Sequence, residues 1–455
     1  VEGLACDREA QCKIAPGRAC NPGDSCATGF CAGHTCARLL SESVVSEVMI
    51  PDAAHTRIMA LASDVHGTPS MVIRQVIPGV GDFTGISTRN VYYMRNTPQG
   101  WGGLLLAQPD LCTLETFEHG SHRRAAIIPI GTTDVVFLIH GFEECAAHHP
   151  NDPLGLVAYW TGPSFAVQRV EKVLANTTAV TPLHLFHVEA RHDGADRILI
   201  TLGAQEGADP AITYPQLVMR YSVANHLADE PVRVFNNVNA WGPSEFMDGQ
   251  VVSFFAPAPD VLKAVRVNDD GSTEELASMD FPAGCAPNAL DPITTASARR
   301  ADGVDEVRLA ARCEDATDTV SVGGVMVGRN KQIITTFTQG GGFTTPHAFR
   351  LEPDLRYITL LRPVQVSAAD TAFLTFDSRD GVVSMLQQGP GPQMYVRDSL
   401  AQPILYNEYV NSIFGAYSTA GPVLAWTLDR LHPDGVTAGS TGTLFSRILM
   451  VRLTH

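Results

Sequence analysis

Long apolar runs are missing from this chain. No hydrophobic stretch approaches the ~18 residues that a bilayer-spanning helix needs. The longest, such as Gly155–Trp160 and Ile448–Leu453, have the length of a β-strand. Charge is scarce, at 18% of residues, and positive charge is scarcer: 32 Lys and Arg stand against 48 Asp and Glu, a net charge of −16. Such a surface excludes nucleic acid, whose phosphates select basic faces, and disfavours anionic lipid. Its simplest reading is solubility, with attraction of cations or basic partners as the alternative. Hydrolase and nucleotide signatures are absent. There is no Gly-x-Ser-x-Gly elbow, no His-Glu-x-x-His helix and no Gly-x-x-x-x-Gly-Lys phosphate loop. The glycine-rich stretch Gly79–Gly85 has no amphipathic helix after it and reads as a loop. The chain starts at Val1, which is expected after removal of a signal peptide or trimming.

Cysteine is present, and unevenly placed. Six of the ten fall in the first 36 residues: Cys6, Cys12, Cys20, Cys26, Cys31 and Cys36. Gly, Pro, Asn and Asp lie between them, so this segment has no core of its own and needs cross-links to hold one shape. Three disulfides are expected, in any of fifteen pairings. Zinc is the rival, but no Cys-x-x-Cys occurs and His34 is the only nearby histidine. Cys26–Cys36 resembles the small Cys/Gly modules near the start of many bacterial secreted and cell-surface proteins. The resemblance implies export and a tethering or assembly role. Cys112 with Cys145 and Cys285 with Cys313 are near in sequence; each bridge would close a loop and stabilise by about 3–4 kcal/mol.

Three Asp-Gly pairs recur: Asp193-Gly194, Asp248-Gly249 and Asp302-Gly303, separated by 55 and 54 residues. Asp-Gly between apolar runs marks a hairpin, because a type I′ turn needs positive φ at both central residues. A hairpin recurring at this interval indicates stacked β-sheets, each too small to bury its own face. Apolar segments at 57–63, 134–139, 197–202, 250–255, 306–311, 371–376 and 411–417 read as the second strands of such units. Third strands follow at 155–160, 216–221, 261–267 and 421–427, and fourth strands at 232–235, 333–338 and 394–397. Four strands per unit resemble the β-propeller, here with seven four-stranded blades over 43–455, though six or eight remain open and a β-sandwich array is the rival. The last strand, 446–453, either completes the final blade or closes the ring against 44–50. No WD or kelch signature is present. The domains are then a Cys-rich module at 1–36, a linker at 37–42 and the propeller. Residues 164–176 mix periods of 2 and 3.6, and read as an outer strand or an inserted helix.

Candidate chemistry is sparse. His140, His148 and His149 surround Glu143-Glu144-Cys145; His184, His187 and His192 form a second group, and His119, His122 and His347 precede comparable strands. Gathered on a channel, His140, His148, His149, His187 and His347 would suit a transition metal. Irregular spacing favours ordinary hydrogen-bonded histidines, and His184 and His187 point to opposite faces of a strand. Asn268–Glu275 offers oxygens for calcium without the full ligand pattern, so a solvated turn is the simpler reading. Asn176-Thr177-Thr178 matches a glycosylation sequon, which matters only in a eukaryotic host. Two functions fit. One is a non-catalytic extracellular or periplasmic scaffold presenting loops to a protein or glycan partner, with no cofactor. The other is a propeller enzyme acting on an extracellular glycan or small molecule, with a channel-bound cation. Three or more converging His, Asp or Glu side chains at the channel would favour the enzyme.

Overall fold

The computed structural model describes residues 4–6, 12–14, 31–32, 35–36, 41–50, 55–76, 89–107, 124–139, 155–162, 164–175, 183–207, 211–287, 293–299, 303–322, 325–350, 361–365, 371–377, 382–388, 395–400, 408–431 and 443–454. Among the described residues there are strands and turns and no helix. Two short ribbons come first. β1 (Leu4–Cys6) pairs β2 (Cys12–Ile14) with Cys6 opposite Cys12. β3 (Cys31–Ala32) pairs β4 (Thr35–Cys36) with Cys31 opposite Cys36. The next strand, β5 (Ser41–Ile50), begins inside the stretch read as a linker.

Six blades are each woven from one continuous stretch of chain. The first is β6 (His55–Ser63), β7 (Pro69–Val76), β8 (Arg89–Thr97) and β9 (Gly100–Ala107). The second is β10 (Ala125–Ile130), β11 (Thr133–Ile139), β12 (Gly155–Thr161) and β13 (Val167–Ala175). The third is β14 (Leu183–His192), β15 (Arg197–Glu206) and β16 (Gln216–Ser222), edged by β17 (Leu227–Ala228) and β18 (Val232–Phe235). The fourth is β19 (Ala240–Met247), β20 (Gln250–Ala258), β21 (Val261–Val267) and β22 (Thr273–Asp280). The fifth holds β23 (Cys285–Pro287), β24 (Thr294–Arg299), β25 (Asp305–Val322), β26 (Val325–Thr338), β27 (Gly342–Phe343) and β28 (His347–Arg350). The sixth is β29 (Leu361–Gln365), β30 (Thr371–Asp377), β31 (Val382–Gln388) and β32 (Tyr395–Leu400).

A closing sheet joins the two ends of the chain. β33 (Glu408–Ser418), β34 (Gly421–Leu431) and β35 (Thr443–Thr454) take β5 as their fourth strand, with Ile448 opposite Val48 and Thr454 opposite Ser41. This corrects the expectation of seven like units: six blades are continuous in sequence, and the ring is shut by a sheet that borrows a strand from the other end. The borrowed strand covers the outer edge of β35 and ties the two ends of the chain into one sheet. β6 touches both β10 and β33, and β14 touches both β10 and β19, so first strands line the axis.

The hydrophobic core lies between blades. On β11, Val135, Phe137 and Ile139 pack toward the third blade, whereas Val136 and Leu138 pack back toward the first. β15 divides likewise, with Ile198, Ile200 and Leu202 on one side and Leu199 on the other. A strand covered on both faces has no polar face to show, which is why these segments read as unbroken apolar runs. Full burial of a side chain such as Phe137 contributes roughly 1.5–3 kcal/mol.

The Asp-Gly pairs join the first strand of a blade to its second. Asp248 and Gly249 have φ of 47° and 77°, and Met247 pairs directly with Gln250, giving the expected two-residue turn. Asp193 opens a longer turn, in which its Oδ1 accepts the Ala195 and Arg197 amides. Asp302 lies outside the described residues; Gly303 has a φ of 83°. Within the segment 164–176, Val167–Ala175 form the outer strand β13. Four readings change. The segments 57–63 and 411–417 belong to first strands, 421–427 belongs to the second strand of the closing sheet, and 333–338 belongs to the third strand of its blade.

Candidate functional site

First strands carry the channel chemistry. After a register irregularity between Leu185 and His187, β14 places His187, Glu189 and Arg191 at alternate positions on one face. β19 supplies Glu245 beside a bulge between Trp241 and Ser244. Pro243 there has no N–H for the ladder. Gly242 comes so close to β20 that a Cβ would lie 2.4 Å from the Phe254 carbonyl oxygen. β24 supplies Thr295 and Ser297, two residues apart and on one face.

These side chains meet. Arg191 donates from Nε to Glu245 Oε1 at 3.0 Å and from Nη2 to Glu189 Oε2 at 3.2 Å. It also reaches its neighbour's Ala190 carbonyl at 3.0 Å and Thr295 Oγ1 at 3.4 Å. Glu245 further accepts the hydroxyls of Thr295 at 2.5 Å and Ser297 at 3.3 Å. His187 Nε2 lies 3.5 Å from Glu189 Oε1. Both carboxylates are 2% exposed, while Arg191 keeps 29% of its side-chain surface open. Desolvation pulls the Arg191 guanidinium down, but the adjoining Glu245 and Glu189 charges and their hydrogen bonds more than offset it and hold its proton tightly.

The network borders an open-sided cavity of about 230 Å³ lined by first strands. One wall is polar, with Glu189, Arg191, Thr295 and Ser297; Met59, Leu61, Val364 and Phe414 supply an apolar wall, and Gln365 and Tyr417 add further polar groups.

A second buried network joins the first two blades. Arg95 donates to Asp64 Oδ2 at 2.6 Å and to Asp134 Oδ2 at 2.7 Å, and Tyr93 donates its hydroxyl to Asp134 at 2.5 Å. Burial, then the Asp134 charge, pushes the Tyr93 phenol well above its ordinary value. Arg124 is buried beside Arg74, and desolvation with that like charge brings it down to about 9.

Of the histidines proposed as ligands, His140, His148 and His149 lie outside the described residues, as do His119 and His122. His187 reaches the channel network. His347 starts β28, which pairs with β26 on the outer side of its blade, so it is not on a channel strand. Among the described residues no group of three or more His, Cys, Asp or Glu is arranged to hold a metal ion. In the Asn268–Glu275 turn, Asp270 Oδ1 accepts the Ser272 amide and hydroxyl, and Asn268 bonds Ser272 Oγ. Those groups serve the turn itself. Cys285 is buried on β23, whose partner strand β25 carries Cys313 opposite Pro287.

Sequence reasoning missed Glu189, Arg191, Glu245, Thr295 and Ser297. The signal was nevertheless present. Each Asp-Gly turn ends a first strand, and these residues lie two to seven positions before Asp193, Asp248 or Asp302.

No protein family matches the chain, and no curated protein does. Solved structures do resemble it. A polysaccharide lyase, Uly1, aligns over 96% of this chain and 94% of its own at 11% identity, with a TM-score of 0.51. The β-propeller domain of the Trilobed protease from Pyrococcus furiosus covers 89% of this chain and 97% of its own at 10% identity, with a TM-score of 0.44. The NanB sialidase from Streptococcus pneumoniae covers 91% of this chain and 70% of its own at 8% identity, with a TM-score of 0.41. At such identities the likeness carries the fold alone. The sheet order and first-strand contacts define a β-propeller with four-stranded blades.

Proposed function

We propose that the protein is an exported, non-catalytic binding propeller that presents its loops to a protein or glycan partner, with the Cys-rich head serving assembly or tethering. One observation carries the reading. Arg191 lies between the two channel carboxylates and takes the oxygens that an acid–base pair would turn toward a substrate. Thr295 and Ser297 hold Glu245 from the other side. The charged groups at the channel are therefore engaged with one another across three blades.

The rival reading, an enzyme acting on an extracellular glycan, draws on the convergence of His187, Glu189 and Glu245. Incubation of the purified protein with acidic and neutral polysaccharides separates the two. Retarded migration in a polysaccharide gel, with no new reducing ends, is the expected result. Product formation that disappears in Glu189→Gln or Glu245→Gln would establish the enzyme instead. The exported character has its own check. Mass mapping of unreduced protein is expected to show Cys112–Cys145 and Cys285–Cys313 bridges, with no free thiol in residues 1–36.

A further inference from the structure

We infer that the central cavity is a binding site for one small, neutral, polyhydroxylated ring, a monosaccharide or the terminal unit of a glycan. The inference goes beyond the loop-presented partner and stands whether or not those loops bind anything. The cavity, at about 230 Å³, is smaller than pockets for drug-sized ligands, which run from ~300 Å³ upward. Its volume suits a single ring.

The lining matches the two-sided chemistry of such a ring. A pyranose carries hydroxyls around its edge and C–H groups on its faces. The polar wall offers charged and neutral hydrogen-bonding groups on one side: the open part of Arg191 and the hydroxyl of Ser297. Gln365 adds an amide that both donates and accepts. Phe414, Met59 and Leu61 supply the apolar surface for the ring face.

Charge selects among sugars. Two carboxylates stand against one guanidinium, so the site is net negative and its guanidinium is already bound to both acids. An anionic sugar would find that guanidinium already neutralised by Glu189 and Glu245, and so gains no full ion pair from it. A neutral ring loses little by entering, because Arg191 is open to the cavity while its acid partners are covered.

Saturation-transfer NMR and calorimetry with glucose, galactose, mannose and glucuronate test this on the full chain. At least one neutral sugar is expected to bind at millimolar concentration, with glucuronate weaker. Gln365→Leu should weaken binding about tenfold, as expected for loss of hydrogen bonds inside a site. Ser297→Phe should fill the cavity and abolish binding. Leu61→Trp blocks it from the opposite wall, so one blocked protein is available even if the other variant does not fold. Failure of every neutral sugar to bind would overturn the inference. So would binding that survives both blocking substitutions, or glucuronate binding as tightly as the neutral sugars.

Discussion

Two buried networks in this ring use the same chemistry to different ends. In each, one arginine bridges two carboxylates from different parts of the chain. Arg95 joins Asp64 and Asp134 between the first two blades, and all three side chains are sealed, at 7%, 4% and 0% exposure. Arg191 joins Glu189 and Glu245 across the third and fourth blades, yet it opens onto the cavity. Charges removed from water are costly unless each finds its partner, so the sealed network is a joint whose parts are useful only together. The open one meets the same requirement for its acids while leaving a cation facing a space. A joint and a candidate site thus differ here by which partner remains in reach of water.

The largest test of that contrast is Arg95→Met. It strands Asp64 and Asp134 between blades and should cost about 3–5 kcal/mol in urea denaturation. Replacing Arg95, Asp64 and Asp134 together with apolar residues of similar volume should recover most of that loss, because no charge is then left alone. Arg191→Met comes next. Glu189 and Glu245 lose their cation, but Thr295 and Ser297 still serve Glu245 and the cavity admits solvent, so a loss of about 1.5–3 kcal/mol is expected by the same measurement. A loss equal to that of Arg95→Met would mean that the cavity does not relieve the acids, and the contrast would collapse. Tyr93→Phe removes one donor to Asp134 and leaves Arg95 in place; about 1–2 kcal/mol is expected.

Much of this ring was legible in the sequence, and the limits of that legibility follow from range. β11, β15 and β20 announce themselves because both their faces are covered, leaving runs such as Ile198–Leu202 with one interrupting Thr201. Asp248-Gly249 fixes its turn through the φ values those two residues tolerate. The closing sheet was legible in part: 44–50 was one of the partners open to 446–453, and β35 does pair with β5, but strand-sized apolar segments some four hundred positions apart do not by themselves state which partner they take. The networks were invisible for a related reason. Arg191 meets Glu245 54 residues away and Thr295 104 residues away, and no local spacing encodes either contact. Only the repeat itself aligns them, since the positions preceding successive Asp-Gly turns fall on neighbouring first strands. Histidine density said little about the channel. His347 belongs to an outer strand, His187 joins the channel as a neighbour of Glu189, and His140, His148 and His149 lie outside the described residues.

The smallest effect lies at the exposed end of the same series. Arg233 on β18 grips Glu206 at the end of β15 with two hydrogen bonds, at 2.7 and 3.0 Å, and the two side chains are 41% and 25% exposed. The Arg233 hydrogen bond, opposed by slight burial and aided by its charge, holds the Glu206 carboxyl below its ordinary value of 4.5. A carboxyl whose folded value is depressed stabilises the protein above the unfolded value, and loses that contribution as pH falls through the folded value. Water and salt screen the pair, so Glu206→Gln should cost only about 0.2–1 kcal/mol at neutral pH. Comparison of melting curves should show the difference from the native chain shrinking as the pH falls below 4.5, and shrinking in high salt. A deficit that persists in acid would show that Glu206 acts through the shape of its bidentate contact rather than its charge. The ordering from sealed to open to exposed would then reflect packing around each arginine more than the water that reaches it.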